Sequence, residues 1–153
     1  MNPLVEKVGT KLLGAHQFLY EKTDGRIGAS IGKRPMLLLR TKGAKTGKPR
    51  TSALLYVPYG ESYAVIASKG GDPKHPGWYH NLVAQPNVDV QVGRKKIPGR
   101  ARVAEGDERS KVWAEADKIN QGGYDSYQSK TTRKIPVVVL DPRSGGLTAQ
   151  TEA

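Results

Sequence analysis

Apolar side chains recur every three or four positions near the start of the chain. Within residues 3–22, five such positions are Leu4, Val8, Leu12, Ala15 and Leu19. This spacing predicts an amphipathic helix, and the stop signal Thr23-Asp24-Gly25 predicts its end. We expect residues 1–24 to form a helix that covers one end of the core. A helix lying on a membrane surface is the less favoured alternative for the same pattern.

Further along, the pattern changes to short apolar or alternating runs, which are typical of β-strands. Six strands are expected, over residues 35–41, 51–59, 63–67, 87–92, 97–104 and 135–140. Most of them follow one another without a crossover helix, which favours an antiparallel barrel over a parallel sheet. The expected fold is mainly β with peripheral helices (α+β), a closed or split β-barrel over residues 25–141. Residues 142–153 are expected to be a disordered tail.

Two helices are expected between the strands. Pro76 suits the first turn of a helix over residues 76–84. Asp107 is the expected cap of a longer helix that ends near residue 120. The apolar stripe of this second helix consists of Val112, Trp113, Ala116 and Ile119.

The composition narrows the kind of site to expect. The chain has 153 residues and no cysteine, which excludes disulfides and thiolate metal sites. No apolar run reaches the roughly 20 residues that cross a bilayer, and no secretory signal is visible, so we expect a cytoplasmic protein. The net charge is +11, which favours an anionic ligand: nucleic acid, anionic lipid or a phosphorylated cofactor.

Seven basic residues and no acidic one lie between Lys33 and Arg50. This stretch contains a turn with two glycines, Gly43 and Gly47, whose freedom lets backbone N–H groups point outward and bind anions. The sequence is not a nucleotide P-loop, because Gly47-Lys48 is followed by Pro49. A basic hairpin that merely keeps a sheet edge soluble is an equally good interpretation of the charge alone.

Two other segments carry candidate chemistry. In the first, a strand ends at Ser68, a glycine-rich loop follows, and a helix begins near Trp78, which offers a ring for stacking beside a helix N-terminus. His75 and His80 have no carboxylate at ligand spacing, so a metal site is not expected. In the second segment, Tyr124 and Tyr127 would share one face of a helix, although they could simply pack a surface loop.

Together these segments resemble the deazaflavin (F420)-dependent nitroreductase family of actinobacterial oxidoreductases. The resemblance covers about residues 17–141 and is carried by four motifs in register: Thr41 to Arg50, Ala67-Ser68-Lys69-Gly70-Gly71, Pro76 to Leu82, and Tyr124 to Tyr127 with Arg133 to Pro136. It implies a split β-barrel related to flavin-mononucleotide (FMN)-binding oxidoreductases. It also implies a reductase that passes a hydride from F420 to an electron-poor organic acceptor: a quinone, an activated alkene or a nitroaromatic.

The resemblance also implies which residues form the site. The coenzyme's phosphate and oligoglutamate tail would lie on the turn formed by Ala44, Lys45, Thr46, Gly47, Lys48, Pro49 and Arg50. The deazaflavin ring would be flanked by Ile66, Ala67, Ser68, Lys69, Gly77, Trp78, Tyr79 and Asn81. Tyr124 and Tyr127 would close over the substrate, with Tyr124 or Ser68 donating a hydrogen bond to the charge that develops on the acceptor.

One departure bears on the acceptor. The nitroreductase branch has tyrosines where this chain has Leu55 and Gln121, which changes the expected substrate pocket and favours quinone or enone reduction. One alternative is an FMN oxidoreductase or carrier of the same fold. The other is a basic nucleic-acid binder, for which no stacking platform is evident. The expected partner is therefore a small-molecule acceptor and not nucleic acid, with peripheral contact at the inner face of the membrane through the N-terminal helix as an open question.

Overall fold

The computed structural model describes residues 17, 20–21, 30–31 and 34–143. In this part of the chain the strands are β1 (Ser30–Ile31), β2 (Arg34–Lys42), β3 (Pro49–Leu55), β4 (Val57–Tyr59), β5 (Ser62–Ile66), β6 (Asn87–Val92), β7 (Lys95–Val103) and β8 (Val137–Pro142). The helices are α1 (Gly77–Ala84), α2 (Gly106–Ile119) and α3 (Gly123–Ser129), with a short 3-10 turn at Lys69–Gly71.

The strands form one antiparallel sheet in the order β1-β2-β6-β7-β8-β5-β4, and β3 also pairs with β2. Only Tyr56 separates β3 from β4. One extended segment therefore pairs first with β2 and then with β5, at the other end of the strand order, which brings the two ends of the sheet together. This arrangement confirms the split β-barrel expected from the sequence.

The segment expected as a single strand over residues 51–59 is interrupted at Tyr56. The Tyr56 N–H donates to the Pro35 carbonyl oxygen at 3.2 Å, whereas its neighbour Val57 already pairs with Ala64 of β5. The break marks the point where the chain leaves one partner strand for the other.

The apolar run at residues 135–140 is buried throughout because β8 has a core on each face. Val138 and Leu140 pack in one cluster with Leu37 and Leu39 of β2. Val137 and Val139 pack on the other side, in a cluster that includes Val112 and Ala116 of α2. The strand begins two residues later than expected, at Val137, since the Ile135 N–H donates to the Gln128 side chain and a proline follows.

The helices differ from expectation at their starts. Pro76 is the N-cap of α1, so it precedes the first turn. Helix α2 begins at Gly106 with Glu105 as its N-cap, and Asp107 lies in the first turn and does not cap it; a carboxylate there still favours the helix dipole. Trp113 is only partly buried, since its indole N–H donates to Asp125 at 2.7 Å.

Most of the predicted N-terminal helix, and the predicted tail apart from its first two residues, lie outside the described residues. Gln17, Tyr20 and Glu21 have helical backbone. Tyr20 is fully buried, and its hydroxyl accepts a hydrogen bond from the Gly93 N–H at 2.7 Å. Across the described ranges, no helix is long and apolar enough to cross a bilayer.

Candidate active site

The basic turn joins β2 to β3 and is closed by its own backbone. The Gly43 N–H donates to the Lys48 carbonyl and the Gly47 N–H donates to the Gly43 carbonyl, both at 2.8 Å. Gly47 has a φ of +70°, and a Cβ on Gly43 would lie 2.7 Å from the Thr46 hydroxyl. Another residue at position 47 would strain the backbone, and one at position 43 would displace the Thr46 side chain. The resulting turn is tight and exposes the basic side chains Lys45 and Lys48.

Asn81 of α1 fixes this turn against the barrel. Its Oδ1 accepts a hydrogen bond from the Ala44 N–H at 2.9 Å, and its Nδ2 donates to the Thr41 hydroxyl at 3.1 Å. One side chain thus bonds to the last part of β2 and to the turn that follows it. This arrangement explains how a residue on a separate helix belongs to the same site.

A cleft of about 910 Å³ lies between the basic turn and α1. Its lining contains seven of the predicted coenzyme residues: Ala44, Lys45, Thr46, Arg50, Gly77, Trp78 and Asn81. Gly43, Thr51, Ser52 and His80 complete it, so none of the described residues that line it is acidic. Gly47, Lys48 and Pro49 belong to the turn but do not line this cleft. We call it the basic cleft.

A second cleft, of about 410 Å³, lies on the other side of Trp78. Of the predicted residues it contains Ile66, Ser68, Lys69, Trp78, Tyr124 and Tyr127. The rest of its lining is Arg34, Met36, Ala53, Leu54, Leu55, Gly70, Pro76 and Asn120. We call it the aromatic cleft. Trp78 lines both clefts, so the two spaces meet at its indole ring.

Some predicted residues lie elsewhere. Ala67 is fully buried, and Tyr79 lines a separate cavity together with His75. Leu55 lies in the aromatic cleft as expected, but Gln121 does not; it is exposed, with a φ of +57°, in the turn after α2. Asn120, the residue before it, lines the cleft instead; the effect of losing the tyrosine at position 121 on the substrate pocket stays a prediction.

Arg133 holds the loop that carries Ser68 and Lys69. Its guanidinium donates to the carbonyl oxygens of Ala67 (3.1 Å), Ser68 (2.8 Å) and Asp72 (3.0 Å). A fourth contact, at 3.0 Å, joins it to Nδ1 of His75. Burial and the neighbouring positive charge of Arg133 lower the pKa of His75, so the neutral ring accepts this bond. The sequence marked Arg133 only as part of a motif and indicated no role for it.

Tyr124 and Tyr127 lie on α3 as expected, with their ring centroids 6.1 Å apart and their planes at 74°. Asp117 positions this helix, because its Oδ1 accepts hydrogen bonds from the N–H groups of Tyr124 and Asp125. Burial, reinforced by Tyr127, strongly raises the pKa of Tyr124, which is 6% exposed. A phenol is protonated at neutral pH, and burial makes its ionisation still less favourable, so Tyr124 lines the aromatic cleft as a hydrogen-bond donor.

Two polar residues of the aromatic cleft were not found from the sequence. Arg34 donates from Nε to Oδ1 of Asn120 at 3.0 Å, across 86 positions of the chain. Arg34 lay within the basic stretch, but nothing in the local pattern indicated that it faces a pocket.

In the described part of the chain, no group of three or more His, Cys, Asp or Glu side chains could hold a metal ion.

Comparison with known proteins decides the family. Residues 13–142 match the profile of the family described as F420H(2)-dependent quinone reductase. This chain belongs to that family. An F420H(2)-dependent quinone reductase of Mycobacterium tuberculosis strain H37Rv is 46% identical over 143 residues, covering 92% of this chain and 96% of the relative.

Solved structures agree with the fold of this quinone reductase family member. The F420-H2-dependent reductase FDR-A is 48% identical, with a TM-score of 0.65, and the match covers 71% of this chain and 95% of that one. A second structure, described as a domain-swapped dimer, is 40% identical with a TM-score of 0.67, covering 87% and 99% of the two chains. The match to FDR-A confirms the expected relationship to F420-dependent reductases.

The site has the chemistry that the family's coenzyme requires. F420 is a polyanion with a flat ring, and the basic cleft offers Lys45, Arg50 and a hydroxyl with no acidic neighbour in its described lining. The adjoining aromatic cleft contains Trp78, Tyr124 and the Ser68 hydroxyl. The residues therefore fit F420, and family membership favours it over the FMN alternative.

Proposed function

We propose that this chain is an F420H2-dependent quinone reductase that holds the coenzyme across both clefts and accepts a quinone over Tyr124 and Tyr127. Family membership supports the reaction class. The single structural observation that carries the proposal is the meeting of the two clefts at Trp78. A coenzyme with an anionic tail and a planar redox ring needs this combination of a basic space and an aromatic space.

The basic cleft holds the part of the coenzyme that does not react. Lys45 and Arg50 provide charge for its anionic groups, and the Thr46 hydroxyl lies beside them. Asn81 keeps the turn in place through its bond to the Ala44 N–H. These contacts are the same before and during the reaction, so they contribute to affinity and not to turnover.

The aromatic cleft is where the acceptor reacts. When bound, reduced F420 would supply the hydride, and the acceptor oxygen would gain negative charge that the residues of this cleft must stabilise. Tyr124 and Ser68, which both carry a hydroxyl, line this space. As a protonated phenol in the lining of the cleft, Tyr124 stabilises that charge by donating a hydrogen bond. Arg133 keeps Ser68 in position by binding its carbonyl.

The aliphatic side chain of Leu55 in this cleft favours quinones and enones over nitroimidazoles. The nitroreductase branch has a tyrosine at this position, and Leu55 removes both the ring and the hydroxyl. An apolar wall next to Met36 and Ala53 suits the hydrocarbon edge of a quinone.

The test measures how fast the purified protein oxidises F420H2 in the presence of an acceptor. The reaction is monitored through the recovery of the coenzyme's visible absorbance. We expect turnover with a naphthoquinone such as menadione and much slower turnover with a nitroimidazole. Reduced FMN serves as the matched alternative donor. Turnover with reduced FMN but none with F420H2 would contradict the assignment of the coenzyme.

A cytoplasmic location and peripheral membrane contact through residues 1–24 remain proposals. They are tested by sedimentation with anionic vesicles, comparing the full chain with one in which Leu4, Val8 and Leu12 are changed to Ser. Equal sedimentation of both proteins would contradict a membrane role for this helix.

A further inference from the structure

We propose that the aromatic cleft contains a subsite for an anionic oxygen, formed by Arg34 and held in place by Asn120. The preferred acceptors of this enzyme would then carry a carboxylate or an ionised hydroxyl beside the ring that is reduced. The inference rests on the proposed function only in taking this cleft as the place where the acceptor binds.

Arg34 is a cation without a carboxylate partner in the described part of the chain. It is the first residue of β2 and is half-buried, and its side chain lines the cleft beside Met36 and Leu55. None of the ion pairs formed among the described residues includes it. The Nε group is bound to Asn120. No described residue forms a hydrogen bond with its two terminal nitrogens, and their spacing matches the two oxygens of a carboxylate.

Asn120 is held so that its oxygen faces Arg34. The chain leaves α2 through a tight turn in which Gln121 has a φ of +57° and Gly122 has a φ of +80°. The Gly122 N–H donates to the Asp117 carbonyl at 2.9 Å. A Cβ on Gly123 would lie only 2.6 Å from Asn120 Nδ2, so the backbone closes against the amide nitrogen. The opposite side of the amide, Oδ1, receives the guanidinium.

The charge of the cleft agrees with this role. Its described lining contains two cations, Arg34 and Lys69, and no carboxylate. Arg34 and Tyr124 line the same cleft, and the positive charge of Arg34 opposes the rise in the pKa of Tyr124. An acceptor that binds Arg34 through an anionic group would therefore bring its ring next to Tyr124.

A purely structural role for Arg34 makes a different prediction. If the guanidinium only connects β2 to the end of α2, its loss would lower the affinity of every ligand of the cleft to the same extent. A subsite for an anionic oxygen instead distinguishes two ligands of equal shape that differ in charge. The ratio of their affinities separates the two roles.

The experiment measures binding to enzyme loaded with oxidised F420, so that no turnover occurs. Isothermal titration compares 2-naphthoate with its neutral isostere 2-naphthamide. We expect naphthoate to bind about tenfold more tightly, the effect of one charge-assisted pair in a partly exposed site. Arg34→Gln should abolish this preference and Arg34→Lys should keep part of it. Arg100→Gln, which removes an exposed arginine outside both clefts, should keep all of it.

Equal affinity of the wild-type enzyme for the two ligands, or no binding of naphthoate, would overturn the proposal. A preference that survives Arg34→Gln would overturn it as well. If Arg34→Gln does not fold, Arg34→Lys and Asn120→Ala provide the same comparison. Turnover of menadione is measured separately on the wild-type protein. Its absence together with an Arg34-dependent preference would refute the quinone reductase function but leave the subsite standing.

Discussion

Replacing Arg133 with methionine tests whether the loop of Ser68 and Lys69 must be held in place for the coenzyme to bind. Methionine keeps much of the side-chain length but removes all four contacts of the guanidinium. Ser68 and Asp72 are partly exposed, so water can replace the guanidinium at their carbonyls. Ala67 is fully buried, and its carbonyl would lose a bond that water cannot easily replace.

The expected cost follows from that one carbonyl. Loss of a charge-assisted hydrogen bond that leaves a buried acceptor unpaired costs about 2–3 kcal/mol of the free energy of unfolding. For a chain of this size the midpoint of thermal unfolding should then fall by about 5–10 °C. The freed loop should also raise the Kd for F420 by about tenfold, because the binding conformation must be ordered when the ligand arrives.

Calorimetry measures the first effect, and fluorescence titration with oxidised F420 measures the second. Arg109→Met is the matched control, since Arg109 also donates to a backbone carbonyl, that of Ile135 at 2.8 Å, but lines neither cleft. We expect this control to lower stability without changing the Kd. Arg133→Lys, which keeps the charge, should lie between the wild type and Arg133→Met. A normal Kd in a destabilised Arg133→Met protein would refute the positioning role.

Four further measurements test the remaining roles. Lys45→Ala should raise the Kd for F420 and leave kcat at saturating coenzyme nearly unchanged. The wild-type Kd should also rise with salt concentration. A Kd that does not depend on salt would count against the basic cleft as the binding site of the anionic tail. Trp78 fluorescence should be quenched by F420 in a Trp113→Phe background, and an unchanged signal would remove Trp78 from the site. Tyr124→Phe should lower kcat by up to about a hundredfold with little change in coenzyme affinity, a result that silent kinetics would contradict. The folded-state pKa of His75 is lowered, so the unfolded chain takes up the proton first as the pH falls below about 6.5. The midpoint of thermal unfolding should therefore fall below that pH in the wild type and fall less in His75→Asn. Identical dependence of the two midpoints on pH would contradict this account.

The elements that the sequence predicted well are those whose pattern reflects local burial. The apolar run that ends in β8 is continuous because both of its faces pack against a core. The apolar face of α1 is also visible in its sequence: Leu82 is buried, and Trp78, one turn earlier on the same face, packs against the same core cluster and lines both clefts. The basic turn could be predicted from its glycines, because Gly47 adopts a positive φ that other residues avoid.

The contacts that position the site could not be predicted in this way. Arg34 meets Asn120 across 86 positions, and Arg133 reaches Ala67 across 66. Both are polar side chains whose partners depend on the closure of the barrel, and no local spacing indicates such a partner. The interruption at Tyr56 has the same origin, since it depends on which strand lies on each side of the segment.

These long-range bonds imply that coenzyme binding and barrel closure are coupled. Ala67 follows β5 and donates its N–H to the Pro136 carbonyl, immediately before β8 begins. Arg133 lies three residues before Pro136, and its guanidinium donates to the carbonyl oxygens of Ala67 and Ser68 in the same loop. We therefore expect the loop to become ordered when β8 pairs with β5. A ligand that binds the ordered loop must stabilise that pairing, so F420 should slow amide exchange in β8, a strand that lines neither cleft.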